Sequence, residues 1–361
     1  MKIKEREFKI FEGKRPRVLL LGNGVCRAFG GVSWNRLLDN IKNKEAYPLP
    51  AERYIMPMPL KAAMLTDNTL ATKIRGLVEK RPLTGEDDIN WTSFVKSTPE
   101  MEERIRKLIL NNFDYVLTTN YSYEIEKSLY GMSNLSQEVI SGLMDYHEVD
   151  NAQTQFLINT FNSVNGVPVW HIHGEARKPN SMIVGSYYYG KLLKRCVERL
   201  DGSIEQNKDK LKQVKTPVGK TQEFRKNIRG LKPQKIGSWV DAFVLGDVYI
   251  LGLGMDFSEA DLWWLIEYKH DNAKICGRTV FFEPQDNHDG ACVVDIQTAC
   301  EHSKNFVCDR RCKSLLLKAC GVETLDYGFS ANNSAEYRMF YDYVIDKMKM
   351  DNINRRFSSS V

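Results

Sequence analysis

The chain has no Cys-x-x-Cys pair, no internal repeat and no low-complexity tract. No apolar run approaches the roughly 18 to 20 residues that a bilayer span needs, which excludes an ordinary transmembrane helix. Met1 to Arg17 alternates charges with single apolar residues and lacks the apolar core of a secretory leader. The eight cysteines are irregularly spaced, so they read as reduced thiols rather than a disulfide framework, and a cytoplasmic protein is expected. Charge of one sign is also scarce. The net charge of +5 is too small to argue for a nucleic-acid partner by itself. What remains is 361 residues at 42% hydrophobic and 27% charged, close to globular averages and enough for one large domain or two ordinary ones.

Five short apolar runs are spaced along this length. Arg17 to Leu21 runs into Gly22-Asn23-Gly24, and Asn112 to Thr119 is followed directly by a helix expected over Tyr121 to Leu129. Val167 to Ile172 stops at His173-Gly174, Asp247 to Leu253 precedes a helix from about Ser258 to Tyr268, and Thr279 to Phe282 ends at Glu283-Pro284. Trp34, Leu37, Leu38 and Ile41 recur at helical spacing, and the stretch from Ala62 to Lys107 reads as largely helical. Continuous apolar strands alternating with helices predict an α/β fold, a Rossmann-like parallel sheet covered by helices on both faces, with helical insertions. In such sheets ligands bind beyond the carboxyl ends of the strands, and four of the five runs end in glycine or unusual polar residues.

Each strand end has a chemical and a structural reading. The N–H groups of Gly22, Asn23 and Gly24 suit a pyrophosphate at a helix start, with Arg27 in the first turn able to reach a phosphate. The dinucleotide fingerprint is incomplete, because Arg27 stands where its third glycine belongs. Asn120, after Thr118 and Thr119, is either a helix cap or an amide that holds a ribose hydroxyl or a water. By strand alternation His171 and His173 should face the same side, but no third metal ligand stands at a convincing spacing. His173 suits a general base, with a buried structural histidine as the alternative. Gly252 and Gly254 end the fourth run and lead through Asp256 and Asp261 into a helix whose Trp263 and Trp264 read as packing. Glu283 is placed either to accept from ribose hydroxyls or as an ordinary surface carboxylate. Cys300, His302, Cys308 and Cys312 match no familiar zinc module and read better as ordinary thiols.

One segment differs in charge. Lys191 to Lys235 carries 14 Lys or Arg against 5 Asp or Glu, so the rest of the chain is slightly acidic. This is either a solvated helical insertion or a surface for an acidic partner or a neighbouring subunit.

In order, LLGNGVCRAFGGVSW (Leu20 to Trp34), VLTTNYSYEIE (Val116 to Glu126), VWHIHGEARKPNSMIVG (Val169 to Gly185) and YILGLGMDFSEADLWWLI (Tyr249 to Ile266) resemble the bacterial sirtuin-like NAD hydrolases of anti-phage defence. The resemblance implies a Rossmann-like domain over residues 1–290, with a helical insertion near 45–107 and the basic one near 191–235. Residues 291–361 would then form a mainly helical extension. It also implies that NAD+ is the substrate, cleaved to ADP-ribose and nicotinamide, with no metal needed. Asn120 matches the asparagine that holds the nicotinamide ribose and the attacking water, and His173 the general base. Gly22 to Gly24 match the pyrophosphate turn, and Gly252 to Gly254 the loop lining the adenosine side. Ser122 stands where the family usually has Asp, and Cys26 where it commonly has Ser. The missing Cys-x-x-Cys module argues against protein deacylation.

An enzyme that destroys NAD+ in its own cell must be held inactive until triggered. The resemblance allows a homo-oligomer, or control by a HerA-type ATPase, an Argonaute-like protein or a phage protein. Two alternatives remain open: a silent NAD- or ADP-ribose-binding subunit, and an ADP-ribosyl transferase.

Overall fold

In a computed structural model the described residues are 15–25, 59–60, 62, 99–131, 145–147, 161–176, 178, 181–201, 238–274, 276–284, 306–327 and 334–358. Eight strands form one sheet: β1 (Arg17–Leu21), β2 (Tyr115–Thr118), β3 (Asp145–His147), β4 (Phe161–Val164), β5 (Val167–His171), β6 (Asp247–Leu251), β7 (Thr279–Pro284) and β8 (Glu323–Tyr327). Their order is β3-β4-β5-β2-β1-β6-β7-β8. The six strands from β5 to β8 run parallel, and β3 and β4 add an antiparallel edge. All five runs expected from the sequence are parallel strands.

Strand alternation divides the core into two layers. Leu19, Leu21, Val116, Val169, Tyr249, Leu251, Val280 and Phe282 point into one. Val18, Leu20, Leu117, Trp170, Val248, Ile250 and Phe281 point into the other. Because β1, β2 and β6 are buried along their full length, they have no polar face, as a sheet covered on both sides requires. The first layer receives α1 (Pro99–Asn112), α2 (Glu124–Tyr130) and α7 (Ser334–Ser358). Met101, Ile105, Leu108 and Ile109 of α1 recur on one helical face and are buried, while Arg104 on the polar face pairs with Asp342 of α7 at 2.7 Å. The second layer receives α3 (Ser186–Asp201), α4 (Trp239–Leu245) and α5 (Ala260–Asp271), with Leu317 of α6 (Phe306–Ala319).

Polar pins set these elements in place. Arg17, which opens β1, is buried with its guanidinium over the rings of Phe113 and Tyr249 at 5.4 and 5.2 Å, and its N–H donates to Asp114. Lys269 of α5 donates to the carbonyls of Phe243, Gly246 and Arg278 at 3.0 to 3.1 Å, joining α5 to the entries of β6 and β7. Burial pushes this ammonium down to about 7, so its three carbonyl acceptors hold a group that water would otherwise reclaim.

Several boundaries differ from those expected. Helix α1 occupies residues up to Asn112, so β2 starts only at Tyr115, and α2 starts at Glu124, three residues later than expected. Strands β5 and β6 stop at His171 and Leu251, because the following glycine-rich segments turn away from the ladder. The repeat around Trp34, most of the 45–107 insertion and residues 202–237 of the basic segment lie outside the described residues. No helix among the described residues is long and apolar enough to cross a membrane.

Candidate functional site at the sheet switch point

From β1 the chain moves outward through β2 to β5, then returns to lay β6 on the other side of β1. The region beyond the carboxyl ends of β1 and β6, at this reversal, is the usual ligand position in such sheets. Three glycines shape it. A Cβ on Gly22 would stand 2.5 Å from the Gly252 carbonyl oxygen, and one on Gly24 would stand 2.6 Å from the Gly252 Cα. Gly252 itself has φ 65°, where a side chain is strained. These glycines allow the two loops to touch through backbone. Gly22 N–H donates to Leu251 O at 3.0 Å and Gly24 N–H to Gly252 O at 2.6 Å, so two of the three expected phosphate donors are already engaged. Asn23 is half-buried at the turn, and the chain becomes helical at Gly24 and Val25. Arg27 lies outside the described residues. Gly254 has open space around it, and Met255 beside it holds φ at 45°.

Asn120 sits at the neighbouring strand end. Thr118 Oγ1 donates to Leu21 O at 2.9 Å and accepts the Asn120 N–H at 3.1 Å, while the Thr119 N–H donates to Leu21 O. The Asn120 Nδ2 then donates to Gly22 O at 3.0 Å, which ties the carboxamide to the glycine turn. Its cap reading fails, because α2 begins four residues later, after Tyr123, with no side-chain cap. The oxygen end of the amide is the one suited to accept from a water or hydroxyl.

The two histidines do not face the same side. His171 is the last ladder residue and points into the first layer, whereas Ile172 and His173 form a turn that breaks the alternation. His171 Nδ1 meets Asn120 O at 2.6 Å, and Nε2 meets Glu126 Oε1 at 2.7 Å. Burial opposes charge on this ring, but the Glu126 carboxylate outweighs it and raises the His171 pKa to about 9. Glu126 also accepts from Asn162 at 3.0 Å, so His171 anchors a buried network behind Asn120.

His173 belongs to the second layer. Its Nε2 lies 3.1 Å from Asp261 Oδ2 and 3.7 Å from Glu259 Oε2, and its Nδ1 lies 3.4 Å from the Tyr189 hydroxyl. Burial opposes charge on His173, but Asp261, with Glu259 behind it, lifts its pKa above the usual imidazole range. Burial also pushes Glu259 up to about 7. A backbone relay ties this cluster to Asn120: Ile183 N–H donates to His173 O, and the hydroxyl of Tyr121 donates to Ile183 O at 3.0 Å.

Tyr189, Glu259 and Asp261 are functional candidates that sequence spacing did not single out as site residues. Asp261 lies 88 positions from His173 and Tyr189 16 positions away. The available signal was Asp261 in the first turn of the helix after the Gly252 loop. Glu283 is in β7, but its side chain is outside the described residues, as are those of Cys300, His302, Cys308 and Cys312.

Gly174 holds the His173 turn closed. Its φ is 92°, and a Cβ there would stand 2.2 Å from Ser181 O. Gly174→Ala should lower stability by about 2 kcal/mol through backbone strain and the forced opening of this loop. Urea unfolding measures this, and an unchanged midpoint would mean that the 174–181 loop relaxes freely. No protein-family model matches the chain, and no curated protein matches it.

Proposed function

We propose that the chain is an NAD+ glycohydrolase that cleaves NAD+ to ADP-ribose and nicotinamide. The observation that carries this reading is the meeting of Gly22, Gly24, Asn120, His173 and Gly252 at adjacent strand ends around one switch point. The likeness of four sequence segments to sirtuin-like NAD hydrolases points the same way.

In this mechanism the glycosidic bond between ribose C1′ and the pyridinium nitrogen breaks, and nicotinamide leaves as a neutral molecule. Positive charge builds on the ribose as an oxocarbenium-like centre. A water oxygen bonds to C1′, and its proton passes to His173. Asn120 orients that water or the ribose hydroxyls through its amide oxygen, with its plane fixed by the bond to Gly22 O. Once deprotonated, which its raised pKa moves to higher pH, the ring keeps its Nε2 proton donated to Asp261 and presents Nδ1 as the basic atom. Asp261 thus acts as a positioning residue, selecting the tautomer and strengthening the base, much as buried carboxylates do in other His-dependent hydrolases. The protein would work in the cytoplasm as a triggered NAD-depleting effector of antiviral defence. Its trigger would be self-assembly or a protein partner such as a HerA-type ATPase, an Argonaute-like protein or a phage protein.

Incubating the full chain with NAD+ over a concentration series and separating the products tests the proposal. Equal amounts of nicotinamide and ADP-ribose are expected, with a rate that climbs faster than protein concentration if assembly activates it. Bound but intact NAD+ at every concentration would identify a silent binder instead. ADP-ribose attached to macromolecules would identify a transferase.

A further inference from the structure

We propose that His173, Glu259 and Asp261 form a binding site for a first-row divalent cation of the Zn2+ type. Their three ligand atoms lie within 4.8 Å of one another. Ligands held at about 2.0 to 2.2 Å around a tetrahedral ion stand roughly 3.4 Å apart. The separations from His173 Nε2, 3.1 Å to Asp261 Oδ2 and 3.7 Å to Glu259 Oε2, bracket that spacing. Glu259, the most exposed of the three, lies just before α5 and closes the remaining gap by a small rotation.

The second observation is Asp261 Oδ1. Asp261 is wholly buried, yet among the described residues this oxygen has no hydrogen-bond partner. Leaving a carboxylate oxygen so placed is costly, and a cation held by the same carboxylate removes the cost. Charge points the same way: two carboxylates facing one imidazole carry up to two negative charges, which a dication neutralises with the ring left uncharged. Tyr189 completes the arrangement. With a metal on Nε2, the Nδ1 proton of His173 has a phenol oxygen 3.4 Å away, the outer contact that metal-bound histidines commonly make. One nitrogen and two carboxylate oxygens suit zinc or manganese better than a soft cation, and three protein ligands leave a fourth position open.

The cation would act as an inhibitor of the proposed hydrolysis. A metal on Nε2 displaces the proton shared with Asp261, and the neutral ring must then carry its proton on Nδ1. The atom needed as the base is thereby lost. This consequence rests on the hydrolase reading, whereas the binding site itself does not.

The test uses the full chain stripped with a chelator and titrated with ZnCl2 by calorimetry, and with Co2+ by visible absorption. Wild type should bind zinc, with Co2+ giving the absorption of low-coordinate nitrogen and oxygen ligation. Glu259→Gln and Asp261→Asn should each weaken that binding roughly tenfold or more. Circular dichroism reports whether each variant folds. If buried Asp261→Asn does not fold, the partly exposed Glu259→Gln carries the test. No zinc binding by wild type, or equal binding by wild type and Glu259→Gln, overturns the site. Zinc binding by wild type together with no NAD+ cleavage by the chelator-stripped, metal-free chain would sink the hydrolase and leave the metal site standing. Cleavage that proceeds unchanged with zinc bound would overturn the inhibition alone.

Discussion

His173→Ala should reduce NAD+ cleavage by about 10²- to 10⁴-fold, the range that a positioned general base contributes. The loss should fall on kcat more than on KM, because the proton moves only as water attacks C1′. Alanine also strips the buried Asp261 of its donor, so a second substitution separates chemistry from folding. His173→Asn keeps a side-chain N–H that can reach Asp261 yet has no basic nitrogen. Both variants should therefore lack cleavage, while the asparagine variant should unfold nearer to wild type. Single-turnover rates and urea midpoints measured together decide the matter. Full activity in His173→Asn would remove His173 from the mechanism.

Asn120 has a different part in the site. Its amide touches Gly22 O and sits one strand from His173, so it contributes to placing the ribose as well as the water. Retained NAD+ binding with lost cleavage in His173→Asn would show that recognition and chemistry are separable across these strand ends.

The sheet was legible because its inner parallel strands are dominated by apolar residues on both faces, a pattern that local sequence cannot hide. The strands that escaped notice are those for which that logic fails. Strand β4 (FNSV) carries Asn162 and Ser163, and β8 (ETLDY) lies at an edge with charged residues, so neither reads as an apolar run. The strand-end motifs drew attention to the switch point for the same reason: glycine and amide residues interrupting an apolar run stand out from core. Alternation misplaced His173, since it presumes that the ladder continues past His171, and the positive φ of Gly174 belongs to a turn instead. Glu259 and Asp261 reach His173 only because β5 and β6 flank β2 and β1 in one sheet, and no sequence spacing encodes that neighbourhood.

Asp241→Ala should cost about 3 to 5 kcal/mol of stability, the largest structural loss expected from a single substitution here. Asp241 of α4 takes Arg199 of α3 in a two-pronged grip, with Nε to Oδ1 at 3.0 Å and Nη2 on Oδ2. Both side chains are almost fully buried, so removing the carboxylate leaves a guanidinium charge in a low-dielectric layer. The bridge also spans the basic segment, because α3 carries its start and α4 follows its end. It thereby fixes, in the second layer, the two elements that flank residues 202–237. The double variant Arg199→Leu with Asp241→Leu removes both charges and should recover much of the lost stability. If Asp241→Ala instead costs less than about 1 kcal/mol, water reaches Arg199 and the pair behaves as a surface bridge. If the double variant is as unstable as the single one, the pair holds the feet of the basic segment by geometry rather than by balanced charge.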